Sequence, residues 1–66
     1  MKINEIRELT DNEIRERELV ERDSLIRMRL SHAITQLDNS SQIKETRRTI
    51  ARLATERRAR KLKQQQ

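Results

Sequence analysis

The sequence predicts an all-α protein: an antiparallel two-helix hairpin, with long helices over about 11–36 and 40–60, behind a short N-terminal helix over about 2–9. Three observations predict it. The 66 residues contain no Gly and no Pro, so no residue type that breaks helices is present. Apolar residues recur at helical spacing along both long stretches. A single turn-like cluster, Asp38-Asn39-Ser40-Ser41, separates them.

The first helix rests on Ile3, Ile6 and Leu9, three apart. Thr10 ends it and opens the next. Thr10-Asp11-Asn12-Glu13 is a capping box: the Thr10 side chain caps the helix and Glu13 reaches back to the Thr10 amide. Asp11 and Glu13 also suit the positive end of a helix. Along the second helix, at about 100° per residue, Leu19, Ile26, Leu30, Ala33, Ile34 and Leu37 share one arc. Ile14, Leu25 and Met28 form a weaker stripe nearly opposite, to be covered by the short first helix or by an outside partner. Asn39 is placed to cap the third helix, with Gln42 completing a second capping-box pattern. So short a connection makes the long helices antiparallel. The third helix offers Ile43, Thr46, Ile50, Leu53, Ala54 and the stem of Arg57 for packing, and this face is expected to seat on the Leu19–Leu37 stripe. The whole, residues 1–66, is one domain, with the tail from about Lys61 to Gln66 expected to fray. Heptads are too irregular for a long coiled coil.

Composition excludes much chemistry. There is no Cys, so neither a disulfide framework nor a thiolate metal site. Without Gly no phosphate-cradling loop forms, and without Phe, Tyr or Trp no base-stacking platform. His32 is the lone histidine, and one histidine by itself makes neither a catalytic dyad nor a metal site. The acids of the first helices are dispersed and have no cleft to tune them. The expectation is therefore no enzyme, no cofactor, no metal and no small-molecule substrate. Met1-Lys2-Ile3-Asn4-Glu5 opens into polar sequence, so no signal peptide is expected, and no apolar run reaches membrane-spanning length. Apolar residues make up 32% and charged residues 41%, a thin core that calls for oligomerisation or a partner.

Charge supplies the functional signal. The net charge is +5, but it is unevenly spread: residues 1–23 sum to −3 and residues 24–66 to +8. Between Ile43 and Lys63 only Glu45 and Glu56 oppose a run of Lys and Arg. Lys44, Arg48 and Arg52 are four apart and stack along one side of the helix, with Arg47 and Arg58 at its border. Guanidinium groups fork onto phosphate oxygens, so such a row suits a polyanion. A solvated charged face is the bland alternative, but it is normally laced with acids that are nearly missing here. Arg58 and Lys61 belong to a second basic cluster in the tail, equally suited to phosphate or to solvent. On the second helix Arg27 has Asp23 one turn before it, whereas Arg29 has no acid three or four residues away and is the better candidate for an external contact.

These residues resemble a known family. Ile26-Arg27-Met28-Arg29-Leu30, Ala33, Gln36-Leu37 and Asn39, then Ile43 through Thr55, are similar to the bacterial type of the universal large-subunit ribosomal protein twenty-nine. Lys2, Glu5-Ile6-Arg7, Leu9-Thr10 and Glu13-Ile14 match in order, so the resemblance spans nearly the whole chain. Its most specific part is Arg47-Arg48-x-Ile50-Ala51-Arg52 followed by Thr55. Departures are Ile26 where the family often has Phe, Thr35 where it has Gly, and Ser40 where it has Pro; none removes a basic residue. The resemblance implies a cytoplasmic structural constituent of the large ribosomal subunit. It implies a helical hairpin on large-subunit ribosomal RNA near the polypeptide exit, beside a neighbouring ribosomal protein, with exit-site factors docking nearby. The family's RNA-facing positions match Lys44, Arg47, Arg48 and Arg52. The residues taken together give an RNA-binding set of Arg29, Lys44, Arg47, Arg48, Arg52, Arg58 and Lys61. Recognition is expected to be of backbone shape, since the A-form major groove excludes side chains.

Two other readings remain. A DNA-binding helical dimer of basic-zipper type fits the basic helix, but needs a heptad zipper continuing from it, and none follows within this sequence. A membrane-surface amphipathic helix fits the charge, but lacks a wedge of Trp, Phe or repeated Leu.

Overall fold

The computed structural model describes residues 1–35 and 40–64. Three helices follow in order: α1 (Ile3–Arg7), α2 (Asp11–Thr35) and α3 (Ser40–Gln64). The all-α hairpin expected from periodicity is the architecture found. The turn over residues 36–39, with Leu37 and the Asn39 cap, lies outside the described residues.

The first boundary forms as the capping box requires. The Glu13 amide donates to Thr10 Oγ1 at 3.2 Å, and the Thr10 amide donates to Glu13 Oε1 at 2.9 Å. That pairing holds the Glu13 carboxyl below its ordinary value, first through the backbone hydrogen bond from Thr10. α1 is shorter than the spacing of Ile3, Ile6 and Leu9 suggests, because its amides stop bonding helically at Arg7.

α2 and α3 lie against each other in antiparallel register, fixed by side-chain bonds along their length. Near the turn, Thr46 Oγ1 donates to Met28 Sδ at 3.6 Å. Midway, Arg57 Nε meets Glu18 Oε1 at 3.0 Å. At the open end Arg60 donates to Asp11 Oδ1 at 2.9 Å and to the Arg7 carbonyl at 3.0 Å, while Gln64 reaches Asp11 Oδ2 at 3.4 Å. Those last contacts carry α3 as a helix to Gln64, past its expected end near Arg60. α1 folds across one broad side of the pair. Its Ile6 joins Ile14 and Leu53 as the fully buried core.

The seam of α2 corrects the expectation. The stripe of Leu19, Ile26, Leu30, Ala33 and Ile34 does not pack on α3. Leu19 is 68% exposed, Ile26 57%, Leu30 60% and Ile34 81%. The weaker stripe is the seam: Ile14 is buried, and Leu25 and Met28 are half-buried. What covers Ile14 is therefore α1 and α3 together. The physical reason is the partner face. α3 presents buried Thr46 and Thr49 beside Leu53, and these hydroxyls need polar partners. Thr49 bonds back to the Glu45 carbonyl at 3.0 Å, and Thr46 meets Met28. Thr46 and Arg57 together suit a stripe that contains Met28 and Glu18 better than one of Leu and Ile alone. The expected packing residues of α3 do form its inner side, with Thr49 added to them.

Candidate nucleic-acid interface

α3 is amphipathic by charge rather than by oil. Its inner side holds Thr46, Thr49, Leu53 and Arg57. Its outer side holds Lys44, Arg47, Arg48, Ala51, Thr55 and Arg58, all exposed. The face has a floor and two edges. Ala51 and Thr55 are short and sit at its centre, and the Thr55 hydroxyl is turned down onto the Ala51 carbonyl at 2.8 Å. Lys44, Arg47 and Arg48 stand around Ala51 in a shallow concavity. Helical geometry sets Arg48 and Arg52 along one edge and Arg47 and Arg58 along the other. A low floor between basic edges lets a phosphate backbone approach the helix closely.

The basic residues of α3 divide by what they already hold. Arg60 is spent inside the protein, bonded to Asp11, Glu56 and the Arg7 carbonyl. The Asp11 carboxyl is drawn below its ordinary value by the Arg60 hydrogen bond, and the same contact raises Arg60. Arg57 is likewise committed to Glu18. The basic tail of the sequence therefore splits: Arg57 and Arg60 clamp the hairpin, while Arg58 and Lys61 remain exposed. Arg48 touches Glu45 at 3.3 Å in an exposed pair, which contributes little and would cost little to break.

Arg52 differs from its neighbours. It is exposed, yet it donates through Nη1 to the Met1 carbonyl at 2.8 Å. The Met1 amine in turn donates to Thr49 Oγ1 at 3.3 Å. Arg52 thus sits where α1 meets the basic face, with donors left over for a second acceptor. Arg29 lies exposed on α2, away from the Lys44–Arg48 concavity. Arg27 is paired with Asp23 at 2.9 Å, as its spacing implies. Lys61 lines a different cleft, with Asp11 and Arg15 across the seam. So the structure gathers Lys44, Arg47, Arg48, Arg52 and Arg58 on the outer side of α3, and leaves Arg29 and Lys61 elsewhere. No described helix is long and apolar enough to cross a membrane.

Comparison with known proteins adds three findings. A profile described as Ribosomal L29 protein matches residues 4–60. The large ribosomal subunit protein uL29 of Bacteroides thetaiotaomicron is 48% identical over 62 residues, covering 94% of this chain and 95% of its own. That of Desulforudis audaxviator is 47% identical, covering 94% and 92%, and that of Moorella thermoacetica is 45% identical over 65 residues, covering 98% and 97%. No solved structure matches.

Proposed function

Because this chain belongs to the ribosomal L29 protein family, we propose that it is a structural component of the large ribosomal subunit that binds large-subunit ribosomal RNA through the outer side of α3. The observation that carries this reading is the exposed group of Lys44, Arg47, Arg48, Arg52 and Arg58 around the low floor of Ala51 and Thr55. Phosphate contacts there release counterions, and the absence of aromatic residues leaves backbone shape as the thing recognised. Its place of work is the cytoplasmic ribosome, near the polypeptide exit, within reach of exit-site factors. The role is architectural, not catalytic.

The uncovered stripe of α2 fits a second partner, a neighbouring ribosomal protein. Leu19, Ile26, Leu30 and Ile34 form an apolar row on the edge of the hairpin remote from α3. RNA offers little to such a row, whereas a neighbouring ribosomal protein buries it. The DNA-binding zipper reading loses ground, because the apolar side of α3 that a zipper needs is occupied by α2 within one chain.

Lys44→Glu with Arg48→Glu is the test. Both residues are exposed and neither holds the hairpin together. The variant should keep its helical circular dichroism and be lost from large subunits on a sucrose gradient. Co-sedimentation at the wild-type level would sink the assignment. Arg52 is left alone, since its substitution would also disturb the Met1 contact.

A further inference from the structure

α1 covers only one of the two broad sides of the hairpin. Met1 and Leu9 line a hollow with Glu13, Arg17 and Val20 of α2, and Ile3 and Ile6 line another with Arg52, Thr55 and Glu56 of α3, so the N-terminal segment reaches both long helices on that side. The opposite broad side is open. Two rows of basic residues border it. On α2, Arg15, Arg22 and Arg29 recur every seventh residue and therefore share one flank of the helix, and all three are exposed. On α3 the facing flank carries Arg47, Arg58 and Lys61, also exposed. Arg15 and Lys61 line the same cleft across the seam. The register set by Met28–Thr46 and Glu18–Arg57 then brings Arg29 level with Arg47 at the turn end, and Arg15 level with Lys61 at the open end. Between the rows lie Leu25, Ile43, Ile50 and Ala54, each only half-buried.

We infer that this open broad side is a second RNA-contact surface, on which the Arg15–Arg22–Arg29 row of α2 and the Arg47–Arg58–Lys61 row of α3 grip the two phosphate strands flanking the shallow groove of an A-form duplex. The inference rests on the ribosomal RNA reading above and adds Arg15 and Arg22 to it. Three features favour a duplex. The rows are two and separate, as the strands beside a groove are. The rail on α2 spans Arg15 to Arg29, about 21 Å at the rise of a helix, which is long enough to follow a strand through several phosphates. The floor is low and apolar, suiting the wide minor groove and its riboses, and it carries no aromatic ring on which a single strand would stack. Acids on this side are few. Glu18 is buried beneath Arg57 and touches Arg22 at 3.4 Å, and Asp11 is held by Arg60.

The test compares the full-length protein with two variants on two probes, a blunt RNA duplex and a single strand of matched length, by fluorescence anisotropy across a salt series. Arg15→Gln with Arg22→Gln should keep its helicity. It should bind the duplex about tenfold more weakly at physiological salt, with a salt slope smaller by roughly two. Lys44→Glu with Arg48→Glu reports separately on the outer side of α3. If that pair weakens binding while Arg15→Gln/Arg22→Gln binds like the wild type, the second surface is overturned and the ribosomal RNA reading stands. If neither pair matters, the ribosomal RNA reading falls with it. Equal affinity for the single strand overturns the duplex. Amide shifts of the wild-type protein on adding duplex need no variant: movement at Arg15, Arg22, Arg29 and Ala54 supports the surface, and shifts confined to Lys44–Thr55 on the outer side overturn it.

Discussion

Glu18 brings a carboxylate into the seam between α2 and α3, where it is 6% exposed. Arg57 meets one oxygen at 3.0 Å and Arg22 the other at 3.4 Å. A buried carboxylate is tolerable only while so paired. Arg57→Ala should therefore destabilise the hairpin by about 1–2 kcal/mol in urea melts, below the full cost of an orphaned ion because Arg22 and solvent stay in reach. Replacing both by leucine should restore most of that loss, since two apolar side chains need no desolvation of charge. The acids at the start of α2 act through pH. Asp11 and Glu13 are held below their ordinary values of 3.8 and 4.5. Groups lowered in the folded state add stability above those ordinary values and lose it as pH falls through the lowered ones. Helicity followed by circular dichroism should thus hold down to about pH 4.5 and fall below it, and Glu13→Gln should flatten the acid limb. The capping box was legible in the sequence because Thr10 and Glu13 act at fixed local spacing. The Glu18–Arg57 pair was not, because nothing local says which of eleven acids meets which of sixteen bases.

At the scale of the element, α2 shows where periodicity stops being decisive. It carries two apolar stripes, and the richer one faces solvent. Counting hydrophobic side chains ranks Leu19, Ile26 and Leu30 above Ile14, Leu25 and Met28. The seam is chosen instead by polar fit to Thr46 and Arg57, which only the facing helix supplies. The inner side of α3, though not its length or its partner stripe, was read from the sequence because its single apolar side left no choice. A paired measurement separates the two stripes. Ile14→Ala should cost about 3 kcal/mol in equilibrium unfolding, as a fully buried side chain leaves a cavity. Leu19→Ser with Ile26→Ser should leave the free protein within about 0.5 kcal/mol of the wild type. The same double variant should be washed from large subunits at lower salt if a neighbouring protein covers that stripe.

The whole molecule is a rod of 48 × 17 × 15 Å, with a radius of gyration of 13.8 Å against about 11 Å for a compact chain of this length. Such a shape exposes surface and starves the core: only Ile6, Ile14 and Leu53 are fully buried apolar residues among those described. Total stability of a chain this size is about 3–10 kcal/mol, and Leu53→Ala alone should remove about 3 kcal/mol. That variant should melt early in isolation. Added large-subunit RNA should raise its midpoint in proportion to the logarithm of RNA concentration, because binding stabilises only the folded form. The basic outer side of α3 was legible from spacing along one helix. Arg15 and Arg22 were not singled out, since their relation to Lys61 is tertiary and exists only once α2 and α3 lie in register.

That register has a kinetic corollary. The bond between Met28 and Thr46 closes 18 residues, whereas that between Asp11 and Arg60 closes 49. Loop-closure entropy makes the second roughly 1 kcal/mol dearer than the first when each forms alone. Once the turn end is closed, however, each later pair closes only the short gap beyond the last. Loop entropy therefore favours zipping from the turn toward Asp11, and opening in the reverse sense. The Asp11–Arg60–Gln64 clamp stands at the end where opening would otherwise begin. Like a latch on a zipper, it is expected to slow opening more than it speeds folding, and Asp11→Asn should then raise the unfolding rate while leaving the folding rate nearly unchanged.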